Sequence, residues 1–485
     1  MNTKYTTTTA ILFAFLASLV ALAGCGQGQD TAPVTDESAA APIVELTDEQ
    51  IDSIVRQSYR FVAIYNVNNK GAFDTENPMS AGGTNRFFAN TQLADHNLKA
   101  IARPNNDTLY VSSLIDLTRE PVIIESPAFD SKYVSMMITG YDHYVNIPMS
   151  TRQGDFSEPS RLLLYSERTP GYSGEAIDGV DKVAEMSGDF VSVVYRVMPH
   201  ANEPERMARN LEAMQSIKAT PLSEFQPGAT APQAAEIAFP DFGRSDDDVF
   251  ENNLLEVMQF VFNHTTFDAN DPIDREILAT FEPLGVVPGR DFDADNVAQI
   301  DGARLRAAAE KIFNEEMART TDPQFLMDNG TKLFLLKGNI TGDILLFQSI
   351  IGPLGQPATE AVYPAIMTAD GTPMNAMHDY VVRMPADAMP PATAFWSMTL
   401  YDTENGFFLP NDRKKYSVGE NAGFQLDEDG GIAVYASAEQ PAGVPDANWL
   451  PMARGDYGVD IILRLYAPDL QAFASWALPT AEPVE

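Results

Sequence analysis

The stretch ARPNNDTLYVSSLIDL, residues 102–117, joins a polar turn to a strand pattern and decides how this part of the chain folds. After the turn, successive side chains alternate between two faces, as they do in a β-strand. The more apolar face consists of Leu109, Val111, Ser113, Ile115 and Leu117. The other face carries Tyr110, Ser112 and Asp116. The alternation predicts a strand that begins directly after the turn.

The turn itself, RPNNDT, has two interpretations. Pro104 restricts a backbone dihedral, Asn105 and its neighbour tolerate left-handed geometry, and Asp107 can accept hydrogen bonds from nearby amides. A structural turn accounts for these residues but not for Arg103 or Tyr110. A guanidinium at this position suits a carboxylate or an anionic ligand. The stretch is therefore either a turn that starts a strand or the edge of a ligand-binding site.

Length and charge limit the architecture and the partners. The 485 residues predict about two to four domains of roughly 150 residues each. Apolar residues make up 45% of the chain, which is enough for more than one core. The 68 acidic side chains outnumber the 32 basic ones and give a formal net charge of -36. A polyanion repels phosphate backbones, so nucleic acid is not an expected partner.

The N-terminus has the features of an export signal. Residues 10–24, AILFAFLASLVALAG, are apolar but shorter than the ~20 residues of a membrane span, and they fit a secretory signal. The run leads into LAGC, which resembles a bacterial lipoprotein signal with Cys25 as the lipidated residue. The alternative is an ordinary signal peptide that contains a cysteine.

Cys25 is the only cysteine, so the fold does not depend on disulfides. Gly26 follows it, which resembles an outer-membrane sorting pattern. We therefore expect a protein of the cell envelope that contacts the membrane through a lipid on Cys25, most simply at the outer membrane facing the periplasm.

The hydrophobic pattern divides the rest of the chain. Thr47 and Gln50 form a capping-box pattern before a helix, and strand-like runs follow. Helix formers then dominate before strand-like runs return. Strands of this spacing suggest antiparallel β-sandwiches. The expected organisation is signal peptide 1–24, lipidated cysteine and linker 25–46, N-terminal helix with β-sandwich 47–198, helical connection 199–354, second β-sandwich 355–475 and tail 476–485.

One internal similarity links the two strand-rich parts. KYVSMMITGYD resembles AFWSMTLYD, which places Ser135 against Ser397 and Asp142 against Asp402. Two related sandwiches in one chain would produce this similarity. Chance resemblance between two amphipathic strands would produce it as well.

The familiar catalytic motifs are absent from the sequence. It contains no G-x-S-x-G, no P-loop and no G-x-G-x-x-G pattern, and its five histidines show no metal-ligand spacing. We therefore assign no metal site, with a zinc site assembled from scattered positions as the alternative, and the sequence leaves the cofactor open.

The strongest candidates for a ligand-binding or catalytic site lie at the polar end of a predicted strand. In MMITGYDHYVN, residues 136–146, a continuous strand would direct Asp142, Tyr144 and Asn146 to one side, where they could orient a small polar ligand. His143 would face the other side unless a bulge at Gly140 changes the register. The alternative is a network in which these side chains bond nearby backbone groups.

The second strand-rich part contributes three further residues. Trp396 is in phase with apolar neighbours and is expected in a core. Trp449, in a loop, would cover the edge of a core or stack on a ligand. Arg464 shares a face with apolar groups and needs a partner, for which an acid of the other domain is one candidate.

These motifs resemble known families. PNNDTLYVSSLIDLTREPVIIESP and KYVSMMITGYDHYVNIP are similar to domain-of-unknown-function family 1254, and YVVRMPADAMPPATAFWSMTLYD, FFLPNDRKKYS, NWLP and LRLYAP are similar to family 1214. The resemblance implies two mainly β, jelly-roll-like domains with helices between them, and no agreed reaction. It maps two family patterns onto Pro104, Asn105, Asp107, Thr108, Tyr110, Asp142, Tyr144 and Asn146. The approach to YVVRMP is PMNAMHDY rather than glycine-rich, which leaves the role of His378 open.

Three functions follow as hypotheses. The first is binding of a small polar or aromatic ligand at a rim formed by Arg103, Asn105, Asp107, Tyr110, Asp142, Tyr144, Asn146, Trp449 and Arg464. The second is a hydrolase or lyase at the same place, with Asp107 or Asp142 as general base, His143 as acid–base partner and Arg103 stabilising developing negative charge. The third is a structural envelope protein that binds a protein partner. Self-association is compatible with all three.

Overall fold

The computed structural model describes residues 45–99, 101–226, 228 and 237–484. The predicted signal peptide, Cys25 and most of the predicted linker lie outside the described residues. The fold is mixed α/β, with about 29% helix and 25% strand, and the residues described form no closed barrel. Helix is thus more abundant than the expected mainly β fold implied, because the long first helix adds to the connection between the β parts. The jelly-roll form and the domain boundaries stay predictions.

The described helices are α1 (Asp48–Phe73), α2 (Pro204–Ser216), α3 (Leu222–Phe225), α4 (Asp246–Asn252), α5 (Leu254–Asn263), α6 (Pro272–Phe281), α7 (Gly302–Arg319), α8 (Pro323–Asn329), α9 (Gly342–Ile351) and α10 (Leu470–Phe473). The capping box predicted for α1 is confirmed: Thr47 caps Gln50 and the Gln50 side chain returns the bond. Among the helices described, none is long and apolar enough to cross a membrane.

The described strands are β1 (Phe88–Asn90), β2 (Leu109–Asp116), β3 (Val122–Ser126), β4 (Val134–Gly140), β5 (Val145–Ser150), β6 (Ser160–Ser166), β7 (Lys182–Met186), β8 (Phe190–Val197), β9 (Lys218–Pro221), β10 (Ala361–Val362), β11 (Ala365–Ile366), β12 (Asp379–Met384), β13 (Ala392–Asp402), β14 (Ser417–Gly419), β15 (Ile432–Ser437), β16 (Trp449–Pro451), β17 (Val459–Pro468) and β18 (Ala481–Val484).

Strands β1 to β9 form the N-terminal β region. Its larger sheet has the order β1-β2-β8-β4-β5, and its smaller sheet has the order β7-β6-β3-β9. The two sheets share one buried apolar cluster, to which β2 contributes Leu109, Val111 and Ile115 as its alternation predicts. Burial of this face from both sheets is what holds the strand in register.

Strands β10 to β18 form the C-terminal β region. Its larger sheet has the order β10-β17-β13-β14, with β11 also on β17, and its smaller sheet has the order β16-β15-β12-β18. A second apolar cluster lies between these sheets and includes Trp396, which confirms its predicted core position.

The two β regions repeat one pattern of strand pairing. In the smaller sheets, β3 pairs with β6 and β9 just as β12 pairs with β15 and β18. Both sheets end in one parallel pair, β6 with β7 and β15 with β16, so they are mixed rather than wholly antiparallel as predicted. In the larger sheets, β4 against β8 corresponds to β13 against β17. This agreement favours duplication over chance resemblance.

The outer face of the larger N-terminal sheet is divided between two neighbours. At one end, Leu114 and Phe190 join the apolar cluster of α1, α4, α5 and α7. At the other end, Tyr133 packs against Phe395 and Tyr466 of the C-terminal β region. The candidate site lies where these two larger sheets meet.

Candidate functional site

The predicted rim residues form two separate groups. Asp107 precedes β2, whose first residue pairs with Val197 of β8. Asp142 follows β4, whose last residue pairs with Val191 of the same strand. Six residues of strand separate the two ends by about 20 Å. The expected single rim cluster is thus divided, because β2 and β4 run in the same direction and the motifs lie at their opposite ends.

Asp107 lies at the contact between the two β regions. One of its carboxylate oxygens, Oδ2, accepts hydrogen bonds from Ser397 Oγ at 2.6 Å and Tyr466 OH at 3.1 Å. Its backbone oxygen accepts one from Asn421 at 2.5 Å. Burial raises the pKa of Asp107, and the nearby Arg464 opposes this rise. The carboxyl group therefore joins two parts of the fold at an interior position.

The RPNNDT stretch is both a turn and a contact. Asn105 Oδ1 accepts hydrogen bonds from the amides of Asp107 and Thr108, which is turn geometry. The side-chain amide of Asn105 also donates to Tyr466 OH at 3.0 Å in the C-terminal β region. Arg103 does not pair with the predicted carboxylates but forms an ion pair with Asp460 at 2.5 Å.

Arg464 is the centre of this contact. It donates from Nη1 to Thr399 Oγ1 at 2.8 Å and from Nη2 to Tyr401 OH at 2.5 Å. Nη2 also lies 3.1 Å from the carbonyl of Arg103 and 3.3 Å from that of Pro104. Burial opposes its charge, but Tyr401 and Asp107 outweigh burial and raise its pKa. Both β regions thus supply partners for this buried arginine, Thr399 and Tyr401 from its own region and two carbonyls and the charge of Asp107 from the other.

The N-terminal β region contains an arginine, Arg196, at the position equivalent to Arg464, and this arginine also contacts the segment that leads into the other β region. Arg196 on β8 pairs across the sheet with Ser135 on β4, as Arg464 on β17 pairs with Ser397 on β13. Arg196 Nη2 donates to the carbonyl oxygen of residue 354 at 2.7 Å. The chain segment just before β10 therefore contacts the first β region, as the segment before β2 contacts the second.

Ser135 and Tyr133 complete this reciprocal contact. Their hydroxyls donate to Gln356 Oε1 at 3.0 and 3.1 Å. The amide nitrogen of Gln356 donates to Tyr363 OH at 3.3 Å. Gln356 therefore occupies a place that matches Asp107, but it carries no charge.

A partly exposed tyrosine, Tyr363, lies near the two arginines. Tyr363 is 49% exposed, yet burial is the largest cause of its raised pKa. From this combination we infer a recess beside the ring. The guanidinium carbon of Arg464 is 5.9 Å from this ring, and that of Arg196 is 5.6 Å from the ring of Tyr110. We call the space bounded by Asp107, Tyr110, Arg196, Tyr363, Arg464 and Tyr466 the central recess.

Arg196 and Tyr363 were not among the residues selected from sequence. Arg196 is the one charged side chain in the otherwise apolar strand FVSVVYRV, and a charge in a strand buried on both faces was the available signal. Tyr363 follows a two-residue strand and has no periodic pattern around it. Its position depends on the packing of the two β regions.

At the other end of the sheet, Asp142 belongs to a buried polar network. Its Oδ1 accepts a hydrogen bond from Ser187 Oγ at 2.9 Å, whereas its Oδ2 is buried and has no hydrogen-bond partner. Burial raises the pKa of Asp142 to about 6, although Lys337 and Arg60 oppose the rise. Asn146 bonds the Ser187 amide and the Tyr144 carbonyl. This arrangement agrees with the alternative of a local network.

His143 has a positive φ of 68° and both of its ring nitrogens are engaged. Nε2 lies 2.8 Å from the carbonyl of Pro353, and Nδ1 lies 2.8 Å from the amide nitrogen of Gln348. Burial lowers the pKa of His143 to about 3, so the ring is neutral at physiological pH. The ring joins the end of β4 to the segment around Gln348 and Pro353, and it has no free nitrogen for proton transfer.

We expect the substitution Asp142→Asn to stabilise the protein above pH 6. The folded-state pKa of about 6 exceeds the ordinary 3.8, so stability falls as pH rises through this window. At pH 7.5 the variant should gain up to about 3 kcal/mol in free energy of unfolding, because Asn keeps the acceptor for Ser187 without the charge. Urea unfolding at pH 4 and pH 7.5 measures this. Equal gains at both pH values would contradict the titration.

Trp449 lies apart from the central recess. Its Nε1 donates to the carbonyl of Ser437 at 3.1 Å, and Arg413 lies 5.1 Å from its ring. It belongs to β16 at the edge of the smaller C-terminal sheet, where it covers that edge. Within the described residues, no group of three His, Cys, Asp or Glu side chains is placed to hold a metal ion.

Comparison with one solved structure supports the fold. The VPA0106 protein from Vibrio parahaemolyticus superimposes with a TM-score of 0.67 at 23% identity, over 90% of this chain and 100% of that chain. An uncharacterized protein from Burkholderia cenocepacia gives a TM-score of 0.41 at 12% identity, over 90% of this chain and 94% of that chain. No curated protein matches the sequence.

The family comparison agrees with the motifs. Residues 84–221 match the model "Protein of unknown function (DUF1254)" and include the Asp107 and Asp142 motifs. Residues 360–470 match the model "Protein of unknown function (DUF1214)" and include Tyr363 and Arg464. The chain therefore carries a DUF1254 region followed by a DUF1214 region, and the central recess lies where the two meet.

Proposed function

We propose that this protein is a lipid-anchored cell-envelope protein that binds a small polar or aromatic ligand in the central recess. The observation that carries the proposal is the half-exposed ring of Tyr363 beside two buried arginines. Binding sites are typically concave, lined by aromatic groups and supplied with a few convergent polar groups. The contact between the two β regions supplies the aromatic groups and the convergent polar groups.

The geometry favours binding over the other two hypotheses. A hydrolase or lyase with Asp107 or Asp142 as base also needs His143 and Arg103 beside that base. The sheet register separates Asp107 from His143, and both ring nitrogens of His143, next to Asp142, are already engaged. A purely structural role predicts an apolar surface without convergent polar groups. The central recess instead brings together polar and aromatic side chains from both regions.

The anchor is supported by the LAGC motif at Cys25. More than one acyl chain is needed for stable attachment to a membrane. A lipid at this position would hold the protein at the membrane through the segment before α1.

Mass spectrometry of the protein extracted from membranes in mild detergent tests both parts. Under denaturing conditions we expect a chain that begins at Cys25 with added acyl mass. Under native conditions we expect an additional small molecule, retained in Tyr435→Ala but lost in Tyr363→Ala, because only Tyr363 lines the central recess. Tyr435 is a matched partly buried tyrosine on β15. An unmodified Cys25 would contradict the anchor.

A bare wild-type protein calls for a direct binding assay. Saturation-transfer NMR with benzamide and benzoate tests whether the recess accepts a small ring. If neither probe receives saturation at millimolar concentration, the binding function is wrong.

A further inference from the structure

The two halves of the central recess differ in charge although they share their strand pairing. Arg464 has the carboxylate of Asp107 among its neighbours, and that carboxylate accepts a bond from Ser397. Arg196 has Gln356 in the corresponding place, bonded by Ser135. The amide is neutral, so Arg196 lacks the carboxylate that Arg464 has in this place, and the one buried carboxylate of the first half, Glu360, is bonded by Tyr133 and Arg152.

Arg196 has an incomplete set of partners. It is only 6% exposed, and its Nη2 donates to one backbone carbonyl. Its Nη1 is buried and makes no hydrogen bond. Its neighbours Tyr110, Tyr133 and Tyr363 raise its pKa against the effect of burial. In the described residues it forms no salt bridge. A buried guanidinium without a counter-charge is unfavourable unless an anion joins it.

The charges around the central recess do not balance. Arg196 and Arg464 contribute two positive charges against one carboxyl group, that of Asp107. The nearby Glu360 is matched by Arg152, whose Nε lies 3.1 Å from Glu360 Oε1. One positive charge is therefore left over, inside a chain whose formal net charge is -36. A single anionic group would neutralise it.

From these observations, and building on the proposed binding function, we propose that the ligand is an aromatic monoanion of the arylcarboxylate type. Its anionic group would pair with Arg196, because a guanidinium can donate two parallel hydrogen bonds to a carboxylate. Its ring would lie among Tyr110, Tyr363 and Tyr466. The charge of Asp107 keeps Arg464 occupied and leaves Arg196 as the anion-binding group.

Benzoate and benzamide form a matched probe pair, since they share a ring and differ in charge. We expect the wild-type protein to bind benzoate at least about tenfold more tightly than benzamide at pH 7.5, as for a charge-assisted hydrogen bond in an interior site. Titration followed by NMR at constant ionic strength measures both dissociation constants. Acetate, which lacks the ring, should bind more weakly than benzoate.

Three variants assign the preference to Arg196. Arg196→Gln should bring benzoate down to the affinity of benzamide, and Arg196→Lys should retain part of the preference. Gln356→Glu places a carboxylate where the other half has Asp107, so it should weaken benzoate by about tenfold without changing benzamide. This last variant keeps Arg196 in place, and it serves as the test if the Arg196 variants do not fold.

Different outcomes test the anion assignment and the proposed binding function separately. Equal binding of benzoate and benzamide to the wild type overturns the anion assignment and leaves the binding function standing. A benzoate preference that survives both Arg196→Gln and Gln356→Glu also overturns it. Acetate binding as tight as benzoate overturns the aromatic part. Failure of both ring probes to bind overturns the proposed function itself.

Discussion

Replacing Arg464 by Met should lower the free energy of unfolding by about 3–5 kcal/mol, the range observed when one partner of a buried charge arrangement is removed. Arg464 donates to Thr399, Tyr401 and two carbonyls of the RPNNDT turn. Its loss leaves Asp107 buried with less opposing charge, and the carbonyl oxygens lose a donor. Guanidinium unfolding followed by tryptophan fluorescence reports this change, since all three tryptophans lie in residues 396–476.

Two further variants show where the loss originates. Arg383→Met removes an exposed arginine from β12 and should change stability by less than about 0.5 kcal/mol. Adding Asp107→Asn to Arg464→Met should recover part of the stability, because it removes the carboxylate left without a counter-charge. If Arg464→Met is no more destabilising than Arg383→Met, the buried contacts of Arg464 do not contribute to the free energy of unfolding.

Truncation of Tyr466 should have an effect of similar size for a different reason. Its ring stacks on Phe395 with centroids 4.1 Å apart and an interplanar angle of 6°. Tyr466→Ala leaves a cavity in the cluster that joins the two β regions, and large-to-small changes of aromatic core residues destabilise by about 3–5 kcal/mol. The same change opens the wall of the central recess, so benzamide binding should be lost as well.

The contribution of the Tyr466 hydroxyl can be separated from that of the ring. Tyr466→Phe keeps the stacking but removes the bonds to Asp107 and Asn105. A loss of about 1–2 kcal/mol is expected from these two hydrogen bonds. Tyr435→Ala, at a half-buried position on β15, provides the control for ring removal. Equal losses in Tyr466→Ala and Tyr435→Ala would mean that the cluster between the regions is not a main source of stability.

Sequence patterns correctly predicted those features that depend on interactions between residues close together in the chain. The capping box of α1 joins residues three positions apart, and the alternation in β2 follows from strand geometry alone. The core position of Trp396 follows from the same period. The repeated Ser–Met motif also indicated the relation between the two β regions, because each copy occupies an equivalent strand.

The residues of the candidate site are far apart in sequence, so no local pattern indicated which of them lie together. Asp107 and Asp142 looked like one rim because both end or begin strands of one sheet, but the direction of β2 and β4 relative to β8 places them at opposite ends. Arg196 was overlooked because the carbonyl that it binds, that of residue 354, lies 158 positions later in the chain. Tyr363 was overlooked because a short strand carries no periodic signal.

The sequence alone was enough for the strand faces, the first helix and the polar turn, since each depends on backbone geometry over a few residues. It left open whether RPNNDT was a turn or a binding edge, and the structure shows a turn whose Asp107 is bound by Ser397 nearly three hundred positions later. Packing of the two β regions brings Arg196, Arg464 and Tyr363 around one recess. The residues that line this recess are far apart in sequence, so bringing them together requires the closure of long loops. Their side chains come into contact only when both β regions are folded and packed together.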